Sequence, residues 1–308
     1  MKTPDILLKT LLLTAFLCLC GPVSAQEAAA PEAIFNAHWI KQEYQPYRLM
    51  TRHYVIENGD TVSVERISCR CDVQVTDSLS KRYALKWQMY AFRVETDHHL
   101  SRQWVHSLGR FQLNYTTSPE GIINEVSDAA ELDRAFDRSV DSFFKNYHGE
   151  TLIEDRERLY ALREHLETTL LSGVQQFHQA HGMGYTLGEV VSVPSEVELS
   201  LSHKAVPATV YKKLERLEDG VATLVTATVL DSAALQTAVR NYLVPALQVD
   251  TTARLTRPDF LLPSYRQENS GALMMHLPTG WPLFIFDCRE ITEKRRTEGD
   301  YMEIKMME

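Results

Sequence analysis

Apolar and polar residues alternate in steps of two through most of this chain, and the step changes to three or four in one central stretch. Phe111, Leu113 and Tyr115 interleave with Gln112, Asn114 and Thr116, the pattern of a strand with one buried face. Pro119 and Gly121 in Thr117–Gly121 supply turn chemistry, and Ile122 to Val126 predicts the return strand. Asp128 with Glu131 has the spacing of a capping box. Beyond it Leu132, Phe136, Val140, Phe143 and Tyr147 make one helical stripe, which Gly149 would stop. Thr151 with Glu154 repeats the cap, and Leu159, Leu162, Leu166, Leu170, Val174 and Phe177 form a second stripe before Gly182 and Gly184. Glu157, Arg163, Glu164 and Glu167 on the other side read as solvated. Two antiparallel helices joined around Gly149 follow from this spacing.

Strand signals flank the helices. Ile34 to Tyr44 reads as a short helix, Tyr47 to Ile56 as a strand, and Asn58-Gly59 as a two-residue hairpin turn. In Thr61 to Val75 the apolar phase moves from Val62 and Val64 to Ile67, Cys69, Cys71, Val73 and Val75, which predicts a bulge near Glu65 and Arg66. Lys81 to Glu95 is a long strand. After the helices, Val197, Leu199 and Leu201 alternate, and Thr209–Glu218 and Val221–Leu230 flank an Asp219-Gly220 turn. Ser232 to Leu243 fits helix or strand, with Pro245 ending either. Leu273–Leu277 and Trp281–Phe286 form a late hairpin about Pro278-Thr279-Gly280, and Tyr301 to Met307 reads as a closing strand. The expected fold is α+β: two related antiparallel β-rich halves, 47–184 and 185–308, with the helical hairpin between them and a leader at 26–46. The likeness of the two hairpins suggests a degenerate duplication.

Residues 1–25 alter the setting. Lys2 and Lys9 precede the apolar run Leu11 to Leu19, and Val23-Ser24-Ala25 is a small-residue cleavage site, so a secretory signal peptide is expected. A lipidated Cys18 or Cys20 fits less well, because Leu17 or Leu19 precedes it. No later stretch has the eighteen continuous apolar residues of a membrane helix. The expected location is the periplasm or the cell surface. A formal net charge of −9 argues against a nucleic-acid partner. Removal of the signal leaves Cys69, Cys71 and Cys288, enough for one disulfide, with Cys288 to one of the others as the preferred pair and buried thiols as the plainer alternative.

Candidate chemistry is sparse. Gly-x-Ser-x-Gly, His-Glu-x-x-His, phosphate-loop and acidic calcium-loop patterns are all missing, so neither a cofactor nor an enzyme is expected. His178 and His181 lie three apart and suit one metal, with Glu189 or His165 as further ligands, but capping or solvated histidines at a helix end are the commoner outcome. His98 and His99, in an expected loop, point apart and chelate poorly. Arg156, Glu157 and Tyr160 read as a charged helix surface. Trp281, Phe284, Ile285 and Phe286 with Met274 and Met275 form the richest apolar cluster. It suits an acyl cavity or the core of a sheet.

The export site Val-Ser-Ala-Gln, the Asn-Gly hairpin, the strand Tyr83 to Trp87, the turn Tyr115 to Gly121 and the turn Leu277 to Pro282 together resemble uncharacterised secreted families of Bacteroides-like Gram-negative bacteria. Their implied architecture is similar to that of LolA-type lipoprotein carriers, a curved sheet or half-barrel holding helices against its concave face. The resemblance implies lipid carriage by shape. The expected function is therefore a non-catalytic exported binding module for a lipid or other apolar ligand, lined by Tyr83, Trp87, Phe111, Phe136, Phe143, Trp281, Phe284 and Phe286. The alternative is an envelope scaffold that binds a protein partner and has a fully packed core.

Overall fold

In the computed structural model, residues 30–148, 153–199, 204–246, 265–293 and 295–308 are described. The strands are β1 (Glu32–Phe35), β2 (Tyr44–Glu57), β3 (Asp60–Leu79), β4 (Arg82–Glu95), β5 (Phe111–Thr117), β6 (Ile123–Val126), β7 (Met183–Thr186), β8 (Val190–Glu198), β9 (Ala205–Glu218), β10 (Val221–Leu230), β11 (Tyr265–His276), β12 (Trp281–Glu293) and β13 (Arg296–Met306). The helices are α1 (His99–Ser107), α2 (Ala129–Asn146), α3 (Ile153–His178) and α4 (Ser232–Ala246).

Eleven strands make one antiparallel sheet in the order β6-β5-β4-β3-β2-β13-β12-β11-β10-β9-β8, curved and unclosed. The chain starts near the middle at β2 and walks outward to the β6 edge. It then crosses by α2 and α3 to the β8 edge and walks back to β13, which pairs with β2. The α+β class read from the pattern is the one observed, and the two β-rich halves join as one sheet at the β2–β13 seam. The expected boundary between residues 184 and 185 falls inside β7, which pairs with β1 in a small second sheet.

Alternation decides which side chains the helices cover. Leu273, Ile285, Ile304, Leu49 and Cys69 stand in register across five strands, all buried on the inner face. Each such burial stabilises by about 1.5–3 kcal/mol relative to exposure. Gly173 of α3 rests on this row, where a Cβ would lie 3.1 Å from Leu49 Cδ1 and 3.8 Å from Ile304 Cδ1. The two hairpin turns are formed as their residues dictate, with positive φ at both Asn58 and Gly59 and at both Asp219 and Gly220.

Several expectations are overturned. Ile34 to Tyr44 is not a helix: it carries β1 and then irregular chain. Glu65 and Arg66 are in regular register with β2, and the residue without an opposite number is Val62. Val62 and Val64 face outward, 55% and 36% exposed, so two apolar residues on the polar face had imitated a phase shift. Of His98 and His99, only the first is in the link after β4, where it caps α1 by accepting from Ser101 N at 3.2 Å; His99 is already the first residue of the helix. Asp128 precedes α2 without a side-chain cap, because its carboxylate is taken by Asn114 of β5, and Glu131 pairs with Arg134 and Arg138 instead. Arg163 and Glu167 are not solvated. Arg163 latches α2 to α3 through Asp133, Asp137 at 3.0 Å and Glu167 at 2.8 Å, with its side chain 12% exposed.

Among the described residues Cys69, Cys71 and Cys288 are free. Cys69 and Cys71 are buried inward, whereas Cys288 stands opposite Tyr301 on the outer face. Strands β3 and β12 are also separated by β2 and β13, roughly 14 Å at ordinary strand spacing, too far for a disulfide. Burial pushes the Cys69 thiol up to about 12 and raises Cys71 as well. The expected signal peptide, Gly149, Thr151 and Leu201 lie outside the described residues. No described helix is long and apolar enough to cross a membrane.

Candidate ligand-binding cleft

Two stripes run along α3. The apolar one, Leu159, Leu162, Leu166, Leu170, Val174 and Phe177, is buried. Beside it Arg158, Ala161, His165, Thr168, Thr169 and Ser172 recur at the same helical spacing; the first four are exposed and the last two half-buried, so this flank of the helix meets the sheet across a gap open to solvent. Two cavities result. One, of about 260 Å³, lies between Arg158, Ala161, Leu162 and His165 of α3 and Thr51, His53, Glu65 and Ile67 of the sheet. The other, of about 290 Å³, lies between His165, Thr168, Thr169 and Ser172 and the strand residues Asn269, Asp287, Arg289, Asp300 and Met302. Thr51 and His165 line both, so the cavities adjoin.

The sheet wall carries a charged row. Asp300 accepts from His53 Nδ1 at 2.8 Å and from Arg289 at 2.7 Å. Burial alone would raise its carboxyl, but these two cationic partners prevail and hold it at about 2. The same hydrogen bond raises the His53 pKa against its partial burial. His165 lacks a comparable partner among the described residues; its side chain is exposed, and desolvation by the surrounding protein lowers its pKa. Asp287 is raised by burial, with Arg289 opposing. Asn269 Oδ1 and Glu65 Oε1 are buried without a hydrogen-bond partner. The cleft thus sets Ile67, Ala161, Leu162 and Met302 beside a salt-bridged cluster and unused acceptors. That division suits one ligand with an apolar part and a polar part.

Six of the eight residues expected to line a site come together in one packed core, and Phe284 and Phe286 lie apart from it. Trp87, Phe111, Phe136 and Trp281 are closely packed core, with Phe111 and Phe136 stacked at 4.2 Å. Tyr83 and Phe143 pack against that core, half-buried. Phe284 and Phe286 stand opposite Lys305 and Glu303 on the outer face, because strand alternation separates them from Ile285. None of the eight lines either cavity. The α3 residues that line them form a flank that is largely solvent-facing, so in the sequence it has the pattern of any exposed helix surface. The usable signal was His165, Thr168, Thr169 and Ser172 in one stripe beside a stripe of leucines.

At the other end of α3, His178 and His181 are 5% and 3% exposed, so the solvated reading fails. His178 donates from Nδ1 to Gly121 O at 2.7 Å and accepts at Nε2 from the Tyr115 hydroxyl at 3.0 Å. His181 donates from Nε2 to Gly280 O at 3.0 Å, which leaves Nδ1 a buried, unpartnered acceptor. Trp39 lies edge-on to both rings and stacks on Trp281 at 4.9 Å. Each imidazole is thereby fixed as a neutral tautomer. Burial lowers both pKa values, His181 to about 4.

No family model matches the chain and no curated protein is similar to it, so neither comparison links it to the secreted Bacteroides-like families or the LolA-type carriers. One solved structure, described as lipid–protein interactions in lipovitellin, overlays with a TM-score of 0.44 at 8% identity, over 88% of this chain. The overlay covers 26% of the lipovitellin chain. Nothing of lipovitellin is carried over from an overlap of that size.

Proposed function

We propose that the protein is a non-catalytic binding module of the cell envelope that holds an amphipathic ligand, of the lipid class, in the cleft beneath α3. The observation that carries this reading is the pair of adjoining cavities meeting at Thr51 and His165, under a helix packed tightly elsewhere along its length. Taken together the cavities fall within the range of small-molecule sites, about 300–1,000 Å³. The apolar part of the ligand lies against Ile67, Ala161 and Leu162. Its polar end meets His53, Arg289 and the unused acceptor of Asn269. The expected aromatic lining is replaced by these residues.

Native mass spectrometry of protein purified from its own envelope tests the proposal, with Ala161→Leu and Ser172→Leu as cavity-filling variants. Wild type is expected to carry added mass that is released on denaturation, and the filled variants to keep their melting temperature and lose the adduct. A bare wild-type mass, or an adduct unchanged in both variants, would reject the cleft. A bare mass with a co-purifying protein would favour the scaffold reading, which the packing of Trp87, Phe111, Phe136 and Trp281 also suits.

A further inference from the structure

The outer face of the sheet holds a second feature, independent of the cleft. Arg48 on β2 stands opposite Arg70 on β3 and opposite Lys305 on β13, so three cations share one row across three strands. Arg52 stands opposite Arg66. Like charges directly opposed across strands repel. A chain with a net charge of −9 has carboxylates to spare for such a row, yet few are used here. Among the described residues Arg48, Arg70 and Arg93 make no ion pair, and Arg66 meets Glu95 at 2.8 Å while its Nε is buried and unpartnered.

The backbone shapes a hollow among these side chains. Ser68 pairs with Arg93 and Arg70 with Tyr90, so β4 sets two residues, Ala91 and Phe92, against the single Cys69. Ala91 takes φ 55°, a left-handed conformation unfavourable for a residue with a Cβ. A bulge of this kind re-aims the neighbouring side chains. The hollow has a volume of about 480 Å³ and is lined by Arg48, Arg66, Arg70, Arg93, Ser68 and His106, with Glu95 as its one carboxylate.

We infer that this hollow is an anion site for a phosphate-bearing ligand, either a free phosphorylated small molecule or the phosphate of a lipid headgroup. Guanidinium groups bind phosphate oxygens through paired N–H donors, and several converging from neighbouring strands suit a group with more than one negative charge. The volume exceeds that of one phosphate, which leaves room for a diphosphate or a phosphate ester. The Ser68 hydroxyl adds a neutral donor, whereas His106 gives its Nδ1–H to Arg102 O at 2.7 Å and so supplies no neutral donor to the hollow.

Full-length wild type and the variants Arg70→Gln and Arg93→Gln are titrated calorimetrically with sodium pyrophosphate at about 0.15 M salt. The same proteins are floated with vesicles of phosphatidic acid in phosphatidylcholine and of phosphatidylcholine alone. Saturable pyrophosphate binding, weakened at least tenfold in either variant, supports a soluble ligand. Binding only to phosphatidic acid vesicles, lost in the variants, supports a headgroup. Without ligand the variants are expected to melt at or above wild type, since repulsion is relieved. Absence of both bindings, binding indifferent to the substitutions, or variants that melt lower without ligand would overturn the inference.

Discussion

The C-terminal end and the middle of α3 use histidine in opposite ways. At the C-terminal end His178 and His181 are sealed among Trp39, Tyr115, Phe177 and Trp281, each ring nitrogen that donates has a carbonyl, and both stay neutral. Nearer the middle, His165 faces a cavity without a hydrogen bond, and His53 across from it is held toward the charged form by Asp300. The first pair joins the Gly121 turn, the Gly280 turn and the helix into one rigid corner. The second sits where packing stops. The difference lies in the neighbours: aromatic rings and backbone carbonyls at one end, threonines, serine and carboxylates at the other.

The largest break in that contrast comes from Gly121→Ala. Gly121 has φ 100°, and a Cβ there would lie 2.4 Å from the His181 ring. Strain and overpacking together are expected to cost about 4 kcal/mol, lowering the melting temperature by roughly 10 °C in a calorimetric scan. A variant melting within about 2 °C of wild type would show that the corner is not rigid.

Acid comes next. The folded pKa values of His178 and His181 lie below the unfolded value, so the unfolded chain binds more protons on acidification. Their contribution is complete above about pH 6.5 and is lost as pH falls toward 4. For His181 alone that window amounts to roughly 3 kcal/mol. Urea midpoints measured across the window should fall in wild type and flatten in His178→Gln/His181→Gln, which starts less stable at pH 7.5. His53 has the opposite sign. Its folded pKa is raised, so its contribution is present below the unfolded pKa and lost as pH rises through the folded one. Asp300→Asn should move the His53 titration, followed by ring-proton NMR, back toward its ordinary value, and an unmoved titration would remove Asp300 as the cause.

Gly173→Ala should have the smallest effect. The gain of about 1 kcal/mol from helix propensity opposes crowding against Leu49 Cδ1 at 3.1 Å. With cavities beside it, α3 can shift by tenths of an ångström, so the net change should stay within about 1 kcal/mol. A loss as large as that of Gly121→Ala would mean that the cleft end is as unyielding as the corner.

Local chemistry made the strands and turns legible. Asn58-Gly59 and Asp219-Gly220 adopt the positive φ values their residues favour; the stripe of α3 is buried as expected, and that of α2 is buried at Leu132, Phe136 and Val140 but only partly at Phe143 and at Tyr147 beyond its end. What depends on distant partners was not legible. Glu131 had the right spacing for a cap, but Asn114 had already claimed Asp128. Phe284 and Phe286 matched the composition of a pocket, yet a step of two along β12 puts them outside. The cleft escaped notice because a stripe of threonine and serine reads the same whether it meets water or an underfilled sheet. The arginine row becomes visible only once β2, β3 and β13 are in register.

The seam between β2 and β13 also bears on time. Residues about 250 positions apart, such as Tyr47 and Met306, must meet before the centre of the sheet exists, and contacts so distant along the chain slow folding. Until the last strand arrives, each meander has an unpaired edge at the position that ends as the middle of the sheet. Closure of the centre is therefore the step that waits for the C-terminal strand, while the hairpins on either side need only neighbouring chain.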